Sequence, residues 1–306
     1  MGVTISDNKQ GNKYHSSETG QFTSAQGGGD GGGFGENGSI SVIPKTTSAG
    51  KPRRFFNSYS PDEIVEIFER YNANHGRESQ KIKELGMQFP TDAIKSDSRE
   101  MLRQKIVQEE FESQNPENKR KEKKATIILG LPGSGKSRIA NMIANENGAF
   151  IIDADNFKQR IPEFQKDQLM LSAVHGESVD LSNRFRNELG QEGYNMIIGK
   201  VGGDIDSVDY VVKELAEQGY GINVILNDVP LEVAMDRTIG RFDRKETDRL
   251  VPIHTLLNAD GKIFGVFDYL LQHPNVSSGK VYSNDVPKEQ SPVLLKEYTK
   301  WNKIFK

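Results

Sequence analysis

"IILGLPGSGKSRIA", residues 127–140, is the stretch that decides the fold. An apolar run ends at Gly130, the chain passes through a glycine-rich turn, and Lys136 and Ser137 open a helical pattern that continues to Ala144. The stretch fits G-x-x-x-x-G-K-[ST] in the strand–loop–helix setting that the motif requires. Glycines let successive backbone N–H groups converge on one concavity, and the following helix adds the positive end of its dipole. Such a cradle suits a polyphosphate. Gly130, Pro132, Gly133, Ser134, Gly135, Lys136, Ser137 and Arg138 are therefore the expected ATP-binding set. Lys136 answers the β- and γ-phosphates, and the Ser137 hydroxyl suits Mg²⁺.

Bulk properties narrow the remaining choices. The 306 residues carry a formal net charge of -3, so no global field recruits nucleic acid or an anionic membrane. No apolar run reaches the roughly 18 residues of a membrane span. Cysteine is absent, which excludes disulfides and thiolate metal sites and agrees with a reducing cytoplasm. The first residues lack the charged start and apolar core of a secretory signal. "MGVTIS" fits an acylation pattern through Gly2 and Ser6, but no basic second anchor follows and one acyl chain holds weakly. A cytoplasmic protein is expected, with the polar N-terminus as an export address the alternative.

Residues 1–52 are polar and centre on "GGGDGGGFGENGS", a composition that buries too little apolar surface to order itself. A helical region is expected over 53–117. It opens at Ser60 as N-cap, with Pro61 in the first turn and Glu63 completing a capping box. Ile64, Ile67, Phe68 and Tyr71 form one apolar stripe. A shorter helix around Ile82 and Leu85 is expected to stop at Gly86, and another to carry Ile94, Met101, Leu102, Ile106 and Phe111. "NKRKEKK", 118–124, reads as a solvated hinge. From there to residue 306 strands alternate with helices: "AFIID", "YNMIIG", "INVILNDV" and "KVYSN" are the strands after the first. The expectation is an α/β fold, a P-loop kinase-type parallel sheet flanked by helices, with ligands above the carboxyl ends of its strands.

The strand after the phosphate loop narrows the chemistry. "FIIDADNFKQRIPEF" sets Asp153 and Asp155 directly after an apolar run, at the edge where the phosphates should lie. A carboxylate there can orient an alcohol and take its proton, while an Asp in the same place also caps a helix. The sequence resembles the zeta toxins, P-loop kinases of bacterial toxin–antitoxin systems. The resemblance rests on "GLPGSGKS", "IDADNFKQRIPEF", "SNRF" before "QEGYNMII", and "TIGRFDRKETDRLVP". It implies transfer of the ATP γ-phosphoryl, with Mg²⁺, to a sugar hydroxyl of UDP-N-acetylglucosamine. It implies further that Lys136 is the phosphate lysine, Asp155 the base, and Arg241 and Arg249 the arginines clasping the γ-phosphate. A planar guanidinium matches charge spread over equatorial oxygens.

The resemblance breaks after the third strand. Zeta toxins place an acidic residue there, then Gly-Thr, to hold the nucleotide sugar. Here the region reads "IIGKVGGDID": Gly199 stands at the acidic position, Val201 at the threonine position, and Lys200 between them. A more negative acceptor follows, unless Asp204 or Asp206 serves instead. Asp153, Arg184 and Lys200 are the candidate acceptor-binding residues, while His175 and His254 have no partners at metal-ligand spacing. Three readings remain open: a kinase for a nucleotide sugar, the same chemistry on a dinucleotide or other nucleotide, and a nucleotide-binding protein whose catalysis has lapsed. A helical antitoxin is the partner the resemblance implies. Residues 57–117, helical and directly upstream, could inhibit in its place.

Overall fold

The computed structural model describes Arg54 and residues 58–244, 251–287 and 290–299. The polar stretch 1–52, with Gly2 and Ser6, lies outside the described residues, and so does Arg249. Six strands form one sheet: β1 (Lys124–Gly130), β2 (Phe150–Ile152), β3 (Met196–Lys200), β4 (Gly221–Asp228), β5 (Val276–Ser283) and β6 (Val293–Thr299). Their order is β2-β3-β1-β4-β5-β6; the first five are parallel and β6 runs antiparallel along β5. The helices are α1 (Pro61–Gln88), α2 (Asp97–Ser113), α3 (Lys136–Asn147), α4 (Ala154–Lys158), α5 (Pro162–Lys166), α6 (His175–Glu192), α7 (Ile205–Glu217), α8 (Leu231–Asp243), α9 (Ile253–Ala259) and α10 (Lys262–Gln272).

Parallel strands covered on both faces need apolar residues at every position, because alternate side chains point to opposite faces. Ile127 and Leu129 of β1 join Met196, Ile198, Val224 and Leu226 in a core filled by Phe185 of α6, Val211 of α7 and Phe267 of α10. Ile128, Ile197 and Ile225 turn the other way, onto Ile139 and Ile143 of α3. β6 was not foreseen. Its "VLLKEYT" lacks a buried stripe: Val293, Leu294 and Leu295 are 49%, 44% and 43% exposed, and only Tyr298 is buried.

The upstream helices differ from expectation in a revealing way. The Ser60 capping box forms as read. However, α1 runs through Gly86 to Gln88 as one helix of 28 residues. Gly86 is there for contact rather than as a stop, since a Cβ on it would lie 2.3 Å from the Cβ of Ser172. The apolar stripe packs Tyr71 and Ile82, with Ile67 and Phe68, against α8 and α9. Tyr71 donates to the Val251 carbonyl, and Arg70 pairs with Asp236.

α2 buries charge rather than a clean apolar face. Ile94 and Met101 are exposed, whereas Arg99, Arg103 and Glu110 are buried beside Ile106 and Val107. Ile106 and Val107 share the core of β1. Glu177, at the start of α6 and 1% exposed, accepts from Arg99 Nε and Arg103 Nε, each at 2.8 Å. Arg99 also reaches Glu163 of α5 at 2.8 Å. Burial pushes the Glu177 carboxyl up, but the hydrogen bonds from Arg99, Thr91 and Arg103 outweigh it and hold the group below its ordinary range. The basic run 118–124 is exposed yet tied down. The Arg120 N–H donates to Gly148 at 2.8 Å, and the buried Asn195 side-chain oxygen accepts from the N–H groups of Glu122 and Lys124.

Removing one partner of a buried ion pair leaves an uncompensated charge. Glu177→Ala should therefore lower unfolding stability by about 3–5 kcal/mol in urea denaturation. A loss below about 1 kcal/mol, the range of an exposed pair, would show that α2 is not locked to α6.

Candidate functional site

The phosphate loop is positioned by the end of β1, the start of α3 and two carboxamides from neighbouring strands. Gly133 and Gly135 have φ of 80° and 84°, the left-handed region that only glycine enters without strain. Space excludes other residues too. A Cβ on Gly133 would lie 2.3 Å from the Ala234 carbonyl oxygen, and one on Gly135 would lie 2.0 Å from the Asn284 amide nitrogen. The Ser134 carbonyl accepts from Asn227 Nδ2 and Asn284 Nδ2, both at 2.9 Å. Asn227 ends β4 and Asn284 follows β5, so both adjoining strands brace the loop. Arg237 of α8 donates to the Asn284 carbonyl at 2.9 Å. Neither asparagine was read from the sequence; each is a single polar residue at a strand end, and nothing local marks it.

Lys136 turns back over the loop and donates to the carbonyls of Gly130 at 2.7 Å and Leu131 at 3.0 Å. Burial lowers its ammonium to about 8; Asp153 and Asp155 pull it up, and Arg241 pushes it down. Lys136 thus lies within electrostatic reach of the three charged residues that the sequence associated with it. Ser137 is exposed at the first turn of α3. Arg138 lies on the other side of the loop, in the electrostatic company of Arg237.

A cavity of about 480 Å³ opens beside the loop, above the carboxyl ends of β1, β2 and β3. Pro132, Lys136 and Ser137 line one side, and Asp153 and Asp155 another. Asp153 caps α4, accepting from the Asp155 N–H at 2.9 Å. Asp155 stands in the first turn of α4, where Lys158 Nζ donates to its Oδ1 at 3.0 Å. Behind α4, buried Glu110 of α2 holds Arg160 Nη2 at 2.8 Å and Asn156 Nδ2 at 3.2 Å. This brace reaches the loop after β2 from a helix that the sequence reading assigned to an extension.

Lys200 lines the cavity as expected, together with Gly199 and Val201. So does His175, whose imidazole is pushed down by burial and by Lys158. Lys158, Asn183 and Arg186 complete the polar lining and were missed. In sequence they are ordinary helix residues, and only the packing of α4 and α6 turns them inward. Arg184 is corrected: it points outward and pairs with Glu100 of α2, bonding Oε2 at 3.2 Å, and it is not part of the cavity lining. Asp204 and Asp206 do not substitute for the missing acid. Asp204 caps α7 through the Ser207 N–H at 3.0 Å, and both lie outside the lining.

For a metal, the available donors are the Ser137 hydroxyl and the carboxylates of Asp153 and Asp155, all hard oxygens. Among the described residues no group of three or more His, Cys, Asp or Glu could hold an ion. That donor set fits Mg²⁺, which keeps several waters and leans on substrate phosphates rather than on a protein cage. No described helix is long and apolar enough to cross a membrane.

No curated protein matches the chain by sequence. Two solved structures share the fold. One, from the PezAT chromosomal toxin–antitoxin system of the human pathogen Streptococcus pneumoniae, aligns with a TM-score of 0.55 and 16% identity, covering 67% of this chain and 82% of that one. The other, AvrRxo1-ORF1:-ORF2 with ATP, aligns with a TM-score of 0.51 and 17% identity, covering 69% and 72%. Residues 107–285, more than half of the chain and including the phosphate loop, both aspartates and Arg241, match the zeta toxin family, to which this protein belongs.

Proposed function

We propose that the protein is an ATP-dependent kinase that transfers the γ-phosphoryl group to a hydroxyl of a small molecule, a nucleotide sugar in the family pattern, and that it acts as a bacterial toxin. The carrying observation is that Lys136 and Asp155, from different elements, line one cavity at the strand ends. In this reading the loop amides and Lys136 hold the β- and γ-phosphates. Mg²⁺, held by Ser137 and the phosphates, neutralises developing charge. Asp155 accepts the proton of the acceptor hydroxyl as its oxygen bonds to the γ-phosphorus, and the bond from that phosphorus to the bridging oxygen breaks to release ADP. Lys158 fixes the carboxylate that does so. Arg241, one turn beyond Arg237 on α8, supplies charge to the transferring group. Arg249 is assigned the same role by its position in the family motif.

The helices upstream take separate parts. α2 is packed into the sheet's core, so the catalytic body is taken to begin with it, and α1 is the extension. α1 lies on α8 and α9 and contributes nothing to the cavity lining. Its proposed effect is accordingly on the arginine-bearing helix rather than by blocking the phosphates. A separate helical antitoxin remains the proposed partner.

Three outcomes follow. Asp155→Asn keeps the size of the side chain and removes the base; kcat should fall about 10²–10⁴-fold while ATP affinity is unchanged. Equal loss of ATP binding would give Asp155 a different role. Gly135→Ala, strained in φ and pressed onto Asn284, should abolish ATP binding in calorimetry while the protein stays folded; retained affinity would refute the cradle. Protonated Lys136 is the form that attracts phosphate. The ATP dissociation constant should therefore be flat well below pH 8 and rise above about pH 8, approaching roughly tenfold per pH unit. Lys136→Met should bind weakly with no such rise, and a wild-type profile flat to pH 9.5 would contradict the assignment.

A further inference from the structure

The wall of the cavity formed by β3 and α6 carries two cations that the phosphoryl-transfer scheme leaves without a task. Arg186 is 3% exposed and lines the cavity. Its Nη1 donates to Asn183 Oδ1 at 2.8 Å and its Nη2 to Glu214 Oε2 at 2.7 Å, but its Nε is buried with no partner. Lys200 ends β3 on the same wall and is half-buried. Burial and the Arg186 charge push its ammonium down, and Glu214 alone opposes them. One carboxylate, already bonded to Arg186, therefore faces two cations.

Buried charge persists when it is paired, and a buried N–H donor persists when it is bonded. Here the missing counterpart must be anionic and must accept from a guanidinium Nε and an ammonium at once. A phosphate does both, since its oxygens match the guanidinium edge and tolerate a second point charge. The space for it exists. Gly199, beside Lys200, has nothing within 4 Å of where its Cβ would be. The glycine at the position where the family carries an acid removes a repulsive group and leaves volume.

We infer that Lys200 and Arg186 form an anion subsite that grips a phosphate of the acceptor, so the molecule phosphorylated is itself a phosphate ester. The inference rests on the proposed kinase reading for its word "acceptor", while the subsite itself rests on geometry. Nucleotide sugars, dinucleotides and simple nucleotides share this chemistry, and free sugars lack it. Lys200 and Arg186 act as binding and specificity residues.

The test uses the full chain saturated with Mg²⁺ and a non-hydrolysable ATP analogue, with acceptor probes titrated in by calorimetry. The phosphate-bearing probes are UDP-N-acetylglucosamine and NAD, and the phosphate-free counterparts are N-acetylglucosamine and nicotinamide riboside. At least one phosphate-bearing probe should bind at least tenfold more tightly than its counterpart. Lys200→Gln should weaken that binding roughly tenfold or more, the worth of a charge-assisted contact, and Lys200→Arg should restore it. Affinity for the ATP analogue should not change. Arg186→Lys keeps the charge toward Glu214 but loses Nε, and it should weaken the same probe. The subsite is overturned if neither phosphate-bearing probe binds, if Lys200→Gln leaves the preferred probe unaffected, or if it weakens the ATP analogue instead. Phosphate transfer from ATP to the bound probe is scored separately. Binding with this pattern but without transfer would defeat the kinase reading and leave the subsite standing.

Discussion

The Ser134 carbonyl receives two buried carboxamides, Asn227 from the end of β4 and Asn284 from the segment after β5, each at 2.9 Å. The site is built on that junction. Amides aimed at a phosphate are effective only if they are aimed before the phosphate arrives, because reorganising a loop at the moment of binding costs what the contact returns. The two carboxamides fix the loop from below. Ala234 and Asn284 crowd it so closely that only glycines fit at 133 and 135. Arg237 then ties the same Asn284 to α8, so the helix that carries Arg241 is registered against the loop rather than floating above it.

A second brace acts from the opposite side. The segment after β2 must present Asp155 toward the phosphates, yet α4 and α5 are each only five residues long and hold little shape of their own. Glu110 on α2 holds Arg160 and Asn156, while Arg99 on the same helix spans Glu163 and Glu177. Charge buried in this way adds little stability by itself, because desolvation offsets much of the attraction. What it supplies is definition: α2, α5 and α6 fit together in one arrangement, and Lys158 and Asp155 inherit their positions from it.

These braces mark where the sequence could and could not be read. The loop, β1 to β5 and the helices between them were legible because unbroken apolar runs and 3.6-residue stripes report burial directly. Gly86 misled because a glycine that ends a helix and one that admits a neighbouring backbone look identical in sequence. β6 was silent because its apolar residues stay half-exposed and show no alternation. The α2 face was obscured because its buried positions are Arg99, Arg103 and Glu110, which a pattern reader assigns to solvent. At the site, Lys136, Asp153, Asp155 and Lys200 were reachable through motif and register. Asn227, Asn284, Lys158 and Arg186 were not, since each takes its place from contacts made far along the chain.

The account turns on whether the main-chain cradle delivers a γ-phosphate to the space that Asp155 faces. A crystal structure with Mg²⁺ and a non-hydrolysable ATP analogue measures this directly. The expected result is the γ-phosphate beside Lys136, with the Asp155 carboxylate directed at a gap just wide enough for one alcohol oxygen. Phosphates bound outside the loop, or an Asp155 side chain turned from them with α4 closed over the gap, would contradict the account.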